Sequence, residues 1–183
     1  MVAPTFDVSA RSRFTAAPTT RTNGECLRYR LQVVAANAAD VVQSAGGWLY
    51  DRVMAGWEVT ALLPTGGDTR PLRILGVAVS DLHSGLGGTD APSQSLAVSA
   101  EAFTADARVR ERVLTSLDDR VTEVALWGGG WPLGVNRSTA EVQHLLSAAA
   151  RRFKCHALAA AGLRDATVGP TETLLCDAYS RLG

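Results

Sequence analysis

Apolar residues recur at every third or fourth position between residues 39 and 55, a spacing that gathers them on one face of a helix. This face consists of Val42, Ala45, Leu49 and Val53. Further apolar side chains flank it and indicate a helix covered on more than one side: Trp48, Tyr50 and Met54. Gly46 and Gly47 each cost about 1 kcal/mol of helix stability relative to alanine. We interpret this pair as a close approach of another backbone or as a kink. Gly56 ends the helix, because glycine adopts the left-handed conformation without a Cβ penalty.

A short apolar run at residues 57–63 follows this helix and predicts a buried strand. The helix-to-strand order is typical of an α/β fold. Residues 27–35 fit two patterns, because apolar and polar residues alternate there while a helical step also continues into the next segment. We favour a strand, since Asn37 and Asp40 can cap a separate helix. One long helix is the alternative.

The same reasoning assigns the remaining elements. It predicts strands at residues 71–79, 95–100 and 121–127, and helices at residues 104–117, 138–163 and after Pro170. The loop between the strands at 57–63 and 71–79 is about six residues long. A parallel crossover needs a dozen or more residues, so these two strands are predicted to form an antiparallel hairpin.

This order of elements predicts a single layered α/β domain at residues 25–183, with a mixed, mostly parallel sheet flanked by helices. Residues 1–24 are rich in Thr, Ala, Pro, Ser and Arg and predict a flexible N-terminal arm.

Composition excludes several classes of protein. Eighteen basic and 18 acidic residues give zero net charge, so neither DNA nor an anionic membrane is expected as a partner. The three cysteines, Cys26, Cys155 and Cys176, form no CxxC motif, and we expect reduced thiols without a metal site. No apolar run reaches the ~18 residues of a spanning helix. We therefore expect a cytoplasmic protein without a cofactor.

A glycine-rich loop at residues 128–137 joins a predicted strand to the start of a helix, where α/β folds present N–H groups to anions. Gly129 and Gly134 have the spacing of the two P-loop glycines, but no Lys-Ser/Thr follows. Arg137 can supply a cation to a phosphate or carboxylate. The alternative is a plain connector with Trp131 in the core. The candidate ligand-binding residues are Gly128, Gly129, Gly130, Trp131, Asn136, Arg137 and Ser138.

A second polar loop, at residues 80–93, contains Asp81, His83, Ser84 and Asp90. Ser84 is not in a G-x-S-x-G elbow, and only two metal ligands are evident. We keep Asp81, His83 and Asp90 as loop candidates beside the alternative of a solvated loop. No catalytic residue is assigned.

Two groups of cations could contact RNA if they share one face of the protein. They are Arg108, Arg110 and Arg112 in one helix, and Arg151, Arg152 and Lys154, the only lysine, in another.

Because no complete catalytic motif is present, the sequence favours a non-catalytic regulatory or protein-interaction module that self-associates. One alternative is a small transferase or hydrolase that binds a phosphorylated or acidic metabolite at residues 128–137. Convergence of Asp81, His83 or Asp90 on that loop would favour the enzyme. The other alternative is an RNA-binding accessory protein. The expected partners are another protein or a second copy, with a small anionic ligand as a further possibility.

Overall fold

A computed structural model describes residues 29–87, 95–119 and 121–177, together with the backbone of two short strands before them. The strands are β1 (Arg21–Thr22), β2 (Glu25–Cys26), β3 (Arg30–Val34), β4 (Glu58–Leu63), β5 (Ala78–Asp81), β6 (Ser95–Ser99), β7 (Glu123–Trp127), β8 (Thr139–Leu145) and β9 (Thr171–Asp177). The helices are α1 (Ala38–Met54), α2 (Arg70–Ile74), α3 (Leu82–Gly87), α4 (Ala100–Ala105), α5 (Ala107–Asp119), α6 (Leu133–Ser138) and α7 (Ala148–Ala160).

Seven strands form one mixed sheet in the order β5-β4-β3-β6-β7-β9-β8. The pairs among β5, β4, β3, β6 and β7 are parallel, whereas β9 is antiparallel to both of its neighbours. Helices cover both faces, so the predicted α/β architecture with a mostly parallel sheet is confirmed. β1 and β2 pair separately. The predicted arm at residues 1–24 lies almost entirely outside the described residues and stays a prediction.

The strand predicted within residues 27–35 is confirmed as β3, whose Leu31 and Val33 are buried in the core. α1 begins as a separate helix, because Asn37 Oδ1 accepts a hydrogen bond from the Asp40 N–H at 2.8 Å. This side-chain cap satisfies one of the helix N–H groups that lack an intrahelical acceptor. The alternative of one long helix is wrong.

The paired glycines of α1 mark a close approach, as one of the two interpretations proposed. A Cβ atom on Gly47 would come within 2.6 Å of the Leu146 side chain. The approaching group is thus a side chain rather than a backbone, and it belongs to the segment between β8 and α7.

A buried ion pair lies against the same turn of α1. The Lys154 ammonium donates to the Glu172 carboxylate, and the two side chains are only 7% and 4% exposed. Glu172 also accepts the main-chain N–H groups of Gly47 at 2.9 Å and Trp48 at 2.7 Å. Lys154 donates in addition to the Gln43 carbonyl at 2.7 Å. The pair therefore joins α1, α7 and β9.

The predicted strand at residues 71–79 is wrong, because this segment contains α2 followed by β5. Pro71 lies in the first turn of α2, where its missing N–H costs nothing, and Leu72 and Leu75 are buried. β5 is parallel to β4, so the predicted antiparallel hairpin is also wrong. With α2 included, the connection spans residues 64–77 and is long enough for a parallel crossover.

The predicted helix at residues 138–163 is wrong in its first third, which forms β8. α7 begins later, where the Ser147 hydroxyl accepts the Ala150 N–H at 2.9 Å. Within the predicted helical stripe, Leu145 is 69% exposed and Leu146 is 5% exposed, as expected for a strand end rather than one helix face. The helix predicted after Pro170 is wrong as well, since β9 begins at the next residue.

Two further predictions need smaller corrections. The helix predicted at residues 104–117 is divided into α4 and α5 at Asp106, which has an extended backbone. The loop at residues 80–93 contains α3, and residues 88–94 lie outside the described residues.

The core has two halves separated by the sheet. One half packs α1, α2 and α7 against the sheet, and the other packs α3, α4, α5 and α6 against the opposite face. The two predicted groups of cations lie on α5 and α7, hence on opposite faces, and Lys154 is buried. The single face required for RNA binding is therefore not formed. No helix within the described residues has the length and hydropathy needed to cross a membrane.

Candidate functional site

An open cleft of about 530 Å³ lies at the carboxyl ends of β3, β6 and β7. The chain runs from β3 to β4 in one direction along the sheet and from β6 to β7 in the other. Ligands of open α/β sheets bind at such a switch point, outside the strand ends. The residues that line the cleft are Asp40, Ser99, Ala100, Glu101, Thr104, Ala105, Trp127, Gly128 and Gly129.

Asp40, in the first turn of α1, is one of the two carboxylates in this lining, with Glu101. Its Oδ2 accepts the indole N–H of Trp127 at 3.1 Å, and its Oδ1 accepts the Ser44 hydroxyl at 3.3 Å. Neither donor is a cation, and Asp40 has no ion-pair partner within the described residues. The Trp127 ring, 3% exposed, holds the carboxylate in one orientation between α1 and β7.

The glycine loop forms the side of the cleft next to α4. Gly128 has a φ of 87°, and an added Cβ there would lie 2.9 Å from the Cβ of Ala100. Glycine is therefore required for this turn to pack against the start of α4. The N–H groups of Gly128 and Gly129 have no acceptor within the described part of the chain. These two predicted ligand-binding residues do line the cleft.

The rest of the loop supports its shape. Trp131 is buried, packs on the ring of Phe103 at 4.9 Å between ring centroids, and donates its indole N–H to the Gly128 carbonyl at 3.1 Å. Asn136 in turn donates to the Trp131 carbonyl at 3.2 Å. Trp131 therefore packs in the core, as expected if the loop is a plain connector. Gly130 is exposed and has a φ of 85°.

The last two predicted residues of the loop lie in α6, away from the cleft lining. Ser138 donates its hydroxyl to the Gly134 carbonyl at 3.2 Å, and Arg137 is exposed. The cation that was predicted to meet an anionic ligand does not line the cleft.

Asp81 and His83 lie at the carboxyl end of β5, on the same edge of the sheet as the glycine loop. Three strands separate β5 from β7, so roughly 19 Å lies between the two strand ends. Asp81 accepts the Ser84 N–H and hydroxyl, both at 3.0 Å, and these bonds lower the pKa of Asp81. Asp90 lies outside the described residues. Neither Asp81 nor His83 lines the cleft, so these two residues do not meet the condition that would favour the enzyme alternative.

His83 instead contacts the α4–α5 junction, where Arg108 Nη2 lies 2.6 Å from its Nδ1. Arg108 also donates to Asp106 at 2.8 Å, and this side-chain hydrogen bond lowers the pKa of Asp106 to about 2. The three side chains hold the amino end of α3 against this junction.

The sequence does not indicate Asp40, Ser99, Glu101 or Thr104 as lining residues. From the sequence alone, Asp40 is predicted only to cap a helix. The available signal was its position just after a buried strand, since the carboxyl ends of parallel strands meet at one edge of a sheet.

The chain matches no family model and no curated protein. Its fold does match solved structures. A deacetylase of the A40926 pseudoaglycone, Dbv21, has a TM-score of 0.55 at 14% identity, over 84% of this chain and 99% of that chain. A zinc-inhibited form of the teicoplanin deacetylase Orf2 has 0.55 at 11% identity, over 84% and 100%. GalB, the 4-carboxy-2-hydroxymuconate hydratase from Pseudomonas putida KT2440, has 0.54 at 10% identity, over 86% and 98%. Identities this low show a shared fold.

These comparisons overturn the prediction of a non-catalytic regulatory or protein-interaction module, because the similar structures are enzymes. The hydrolase alternative agrees better with them.

One of these deacetylases is in a zinc-inhibited form. In the described segments of this chain, no three His, Cys, Asp or Glu side chains come together as a metal centre requires. Asp40 is already engaged by Trp127 and Ser44. The described residues therefore do not fit a zinc centre.

Proposed function

We propose that the chain is a hydrolase that uses a water molecule in this cleft to cleave an amide or ester. The observation that carries the proposal is the Asp40 carboxylate, which Trp127 orients beside the cleft at the switch point of the sheet. A carboxylate held in this way is suited to act as a general base.

In the proposed reaction, Asp40 accepts a proton from a water molecule as the water oxygen bonds to the substrate carbonyl carbon. The bond from this carbon to the amine or alcohol then breaks, and the proton passes to the departing nitrogen or oxygen. The N–H groups of Gly128 and Gly129 have no acceptor among the described residues and are suited to stabilise the negative charge on the carbonyl oxygen. General-base catalysis contributes about 10²–10⁴-fold, and one such donor about 10²–10³-fold.

The cleft lining favours a neutral or cationic substrate. Its ionisable side chains are Asp40 and Glu101, and no Lys, Arg or His is among the lining residues of this described cleft. Two carboxylates repel phosphorylated and acidic compounds. We therefore replace the expected anionic ligand by a neutral or positively charged acyl compound.

The similar structures support this class of reaction without fixing the substrate. Two are named as deacetylases and one as a hydratase. Hydrolytic removal of an acetyl group and hydration both consume water, which is the reactant that Asp40 would activate. Since one fold serves many reactions, the proposal depends on the cleft itself.

The test compares wild type with Asp40→Asn on p-nitrophenyl acetate and on a panel of N-acetylated amines, with release of nitrophenol or free amine as the readout. We expect Asp40→Asn to lower kcat/KM by about 10²–10⁴-fold. Asp81→Asn is the matched control, because Asp81 is a carboxylate on the same sheet edge outside the cleft. Thermal unfolding checks that each variant is folded. Equal rates for wild type and Asp40→Asn, or no turnover of any substrate by wild type, would contradict the proposal.

A further inference from the structure

β8 is an edge strand whose outer edge has no partner in the described part of the chain. Its seven residues pair with β9 alone, in continuous register from Thr139 opposite Asp177 to Leu145 opposite Thr171. No residue of β8 is buried, and Leu145 is 69% exposed. The main-chain groups along the other edge are free to pair with another strand.

β8 lacks the features by which proteins block pairing at a sheet edge. Its sequence, TAEVQHL, contains no proline and no lysine, its only formal charge is Glu141, and its register with β9 shows no bulge. The opposite edge of the sheet is different, because β5 has only four residues and ends at Asp81. The contrast singles out β8 as the edge able to accept a strand.

The edge is also held in place before any partner arrives. His144 Nε2 lies 3.0 Å from Asp51 Oδ2, and this contact ties β8 to α1. The same Asp51 oxygen accepts the Ser147 N–H at 3.2 Å. A fixed edge loses little conformational freedom on association, which favours binding.

We propose that the occupant of this edge is a second copy of the chain, with the two β8 strands antiparallel about a two-fold axis at Val142. A two-fold axis perpendicular to the sheet must lie midway between the two copies of one residue. Only then do residues that are opposite each other have their side chains on the same face of the sheet. At Val142 it places Glu141 opposite Gln143 of the second copy and Ala140 opposite His144. No like charges are directly opposed, and a carboxylate faces an amide.

The symmetry limits the assembly to two copies. An isologous contact uses the β8 edge of both copies, so among the described strands of the sheet no unblocked long edge is left for a third copy. Pairing of seven residues per copy makes a small interface, so we expect a weak dimer whose amount rises with concentration.

The test measures the dimer dissociation constant by sedimentation velocity over a wide concentration range. Gln143→Lys creates two opposite-charge pairs with Glu141 across the axis, and Gln143→Glu creates two like-charge pairs. We expect Lys to tighten the dimer and Glu to weaken it, each by roughly two- to thirty-fold. The matched charge controls are Thr115→Lys and Thr115→Glu, at an exposed site on α5. They should change the dimer dissociation constant little.

Opposite shifts for the two Gln143 variants, absent in the Thr115 pair, would support β8 pairing. A monomer at every concentration would overturn it, and protected β8 amides in that monomer would identify another segment of the same chain as the occupant. A dimer that responds equally to Lys and Glu at Gln143 would place the contact elsewhere and also overturn it.

Discussion

Removing the Lys154 ammonium should destabilise the protein more than any nearby surface substitution. In Lys154→Met a side chain of similar length remains, but Glu172 loses its cation. The Glu172 side chain is only 4% exposed, so water cannot replace the lost partner. Loss of one partner from a buried pair costs about 3–5 kcal/mol. For a chain of this size, 1 kcal/mol shifts Tm by about 2–4 °C, so we expect a decrease of roughly 6–20 °C.

Urea unfolding followed by circular dichroism gives the free energy directly, and Arg151→Met on the exposed face of α7 is the control. The control should change the free energy of unfolding by no more than about 0.5 kcal/mol. Adding Glu172→Gln to Lys154→Met should recover part of the loss, because the uncompensated charge disappears while an amide oxygen still accepts a main-chain N–H. The electrostatic explanation is refuted if the free energies lost in the single variants Lys154→Met and Glu172→Gln simply add in the double variant. It is also refuted if Lys154→Met costs less than about 1 kcal/mol.

Two further predictions concern packing and pH. Gly47→Ala should lower the free energy of unfolding by about 1–3 kcal/mol through overpacking, since the new Cβ would lie 2.6 Å from the buried Leu146 side chain. Gly67→Ala is the control, because its Cβ would have open space, and it should be near neutral in the same urea titration. Arg108 lowers the pKa of Asp106 from 3.8 to about 2, so the stability from this contact is present above pH ~4 and is lost as pH falls through about 2. Asp106→Asn should therefore weaken the acid dependence of Tm between pH 4 and 2. Equal acid profiles for the wild type and Asp106→Asn would contradict the assignment.

The elements that could be predicted from the sequence carry their own local signals. α1 has an apolar stripe and the Asn37 cap, and β4, β6 and β7 are short apolar runs of the kind buried on both faces of a parallel sheet. The elements that were missed lack such signals. β8 and β9 lie at the margin of the sheet, where partial exposure removes a clean alternation, and Val142 and Leu146 happen to keep a helical spacing.

The candidate site was only partly predictable for a different reason. Gly128 and Gly129 stand out because a glycine-rich turn is a local feature of the sequence. Asp40 and Trp127 become neighbours only when β3, β6 and β7 lie side by side, and they are 87 residues apart in the chain. Spacing within one segment carries no information about that strand order.

The contact between Glu172 and the middle of α1 also has a consequence for the order of folding. Gly47 and its acceptor are 125 residues apart, and Glu172 belongs to the last strand of the sheet. Closing so long a loop costs chain entropy before the contact returns any stability. During synthesis, α1 and the first strands emerge long before β9 does, so the buried Lys154 has no anion until then. The chain should therefore reach its stable form late, and a nascent chain that stops before β9 should stay open to proteases and chaperones.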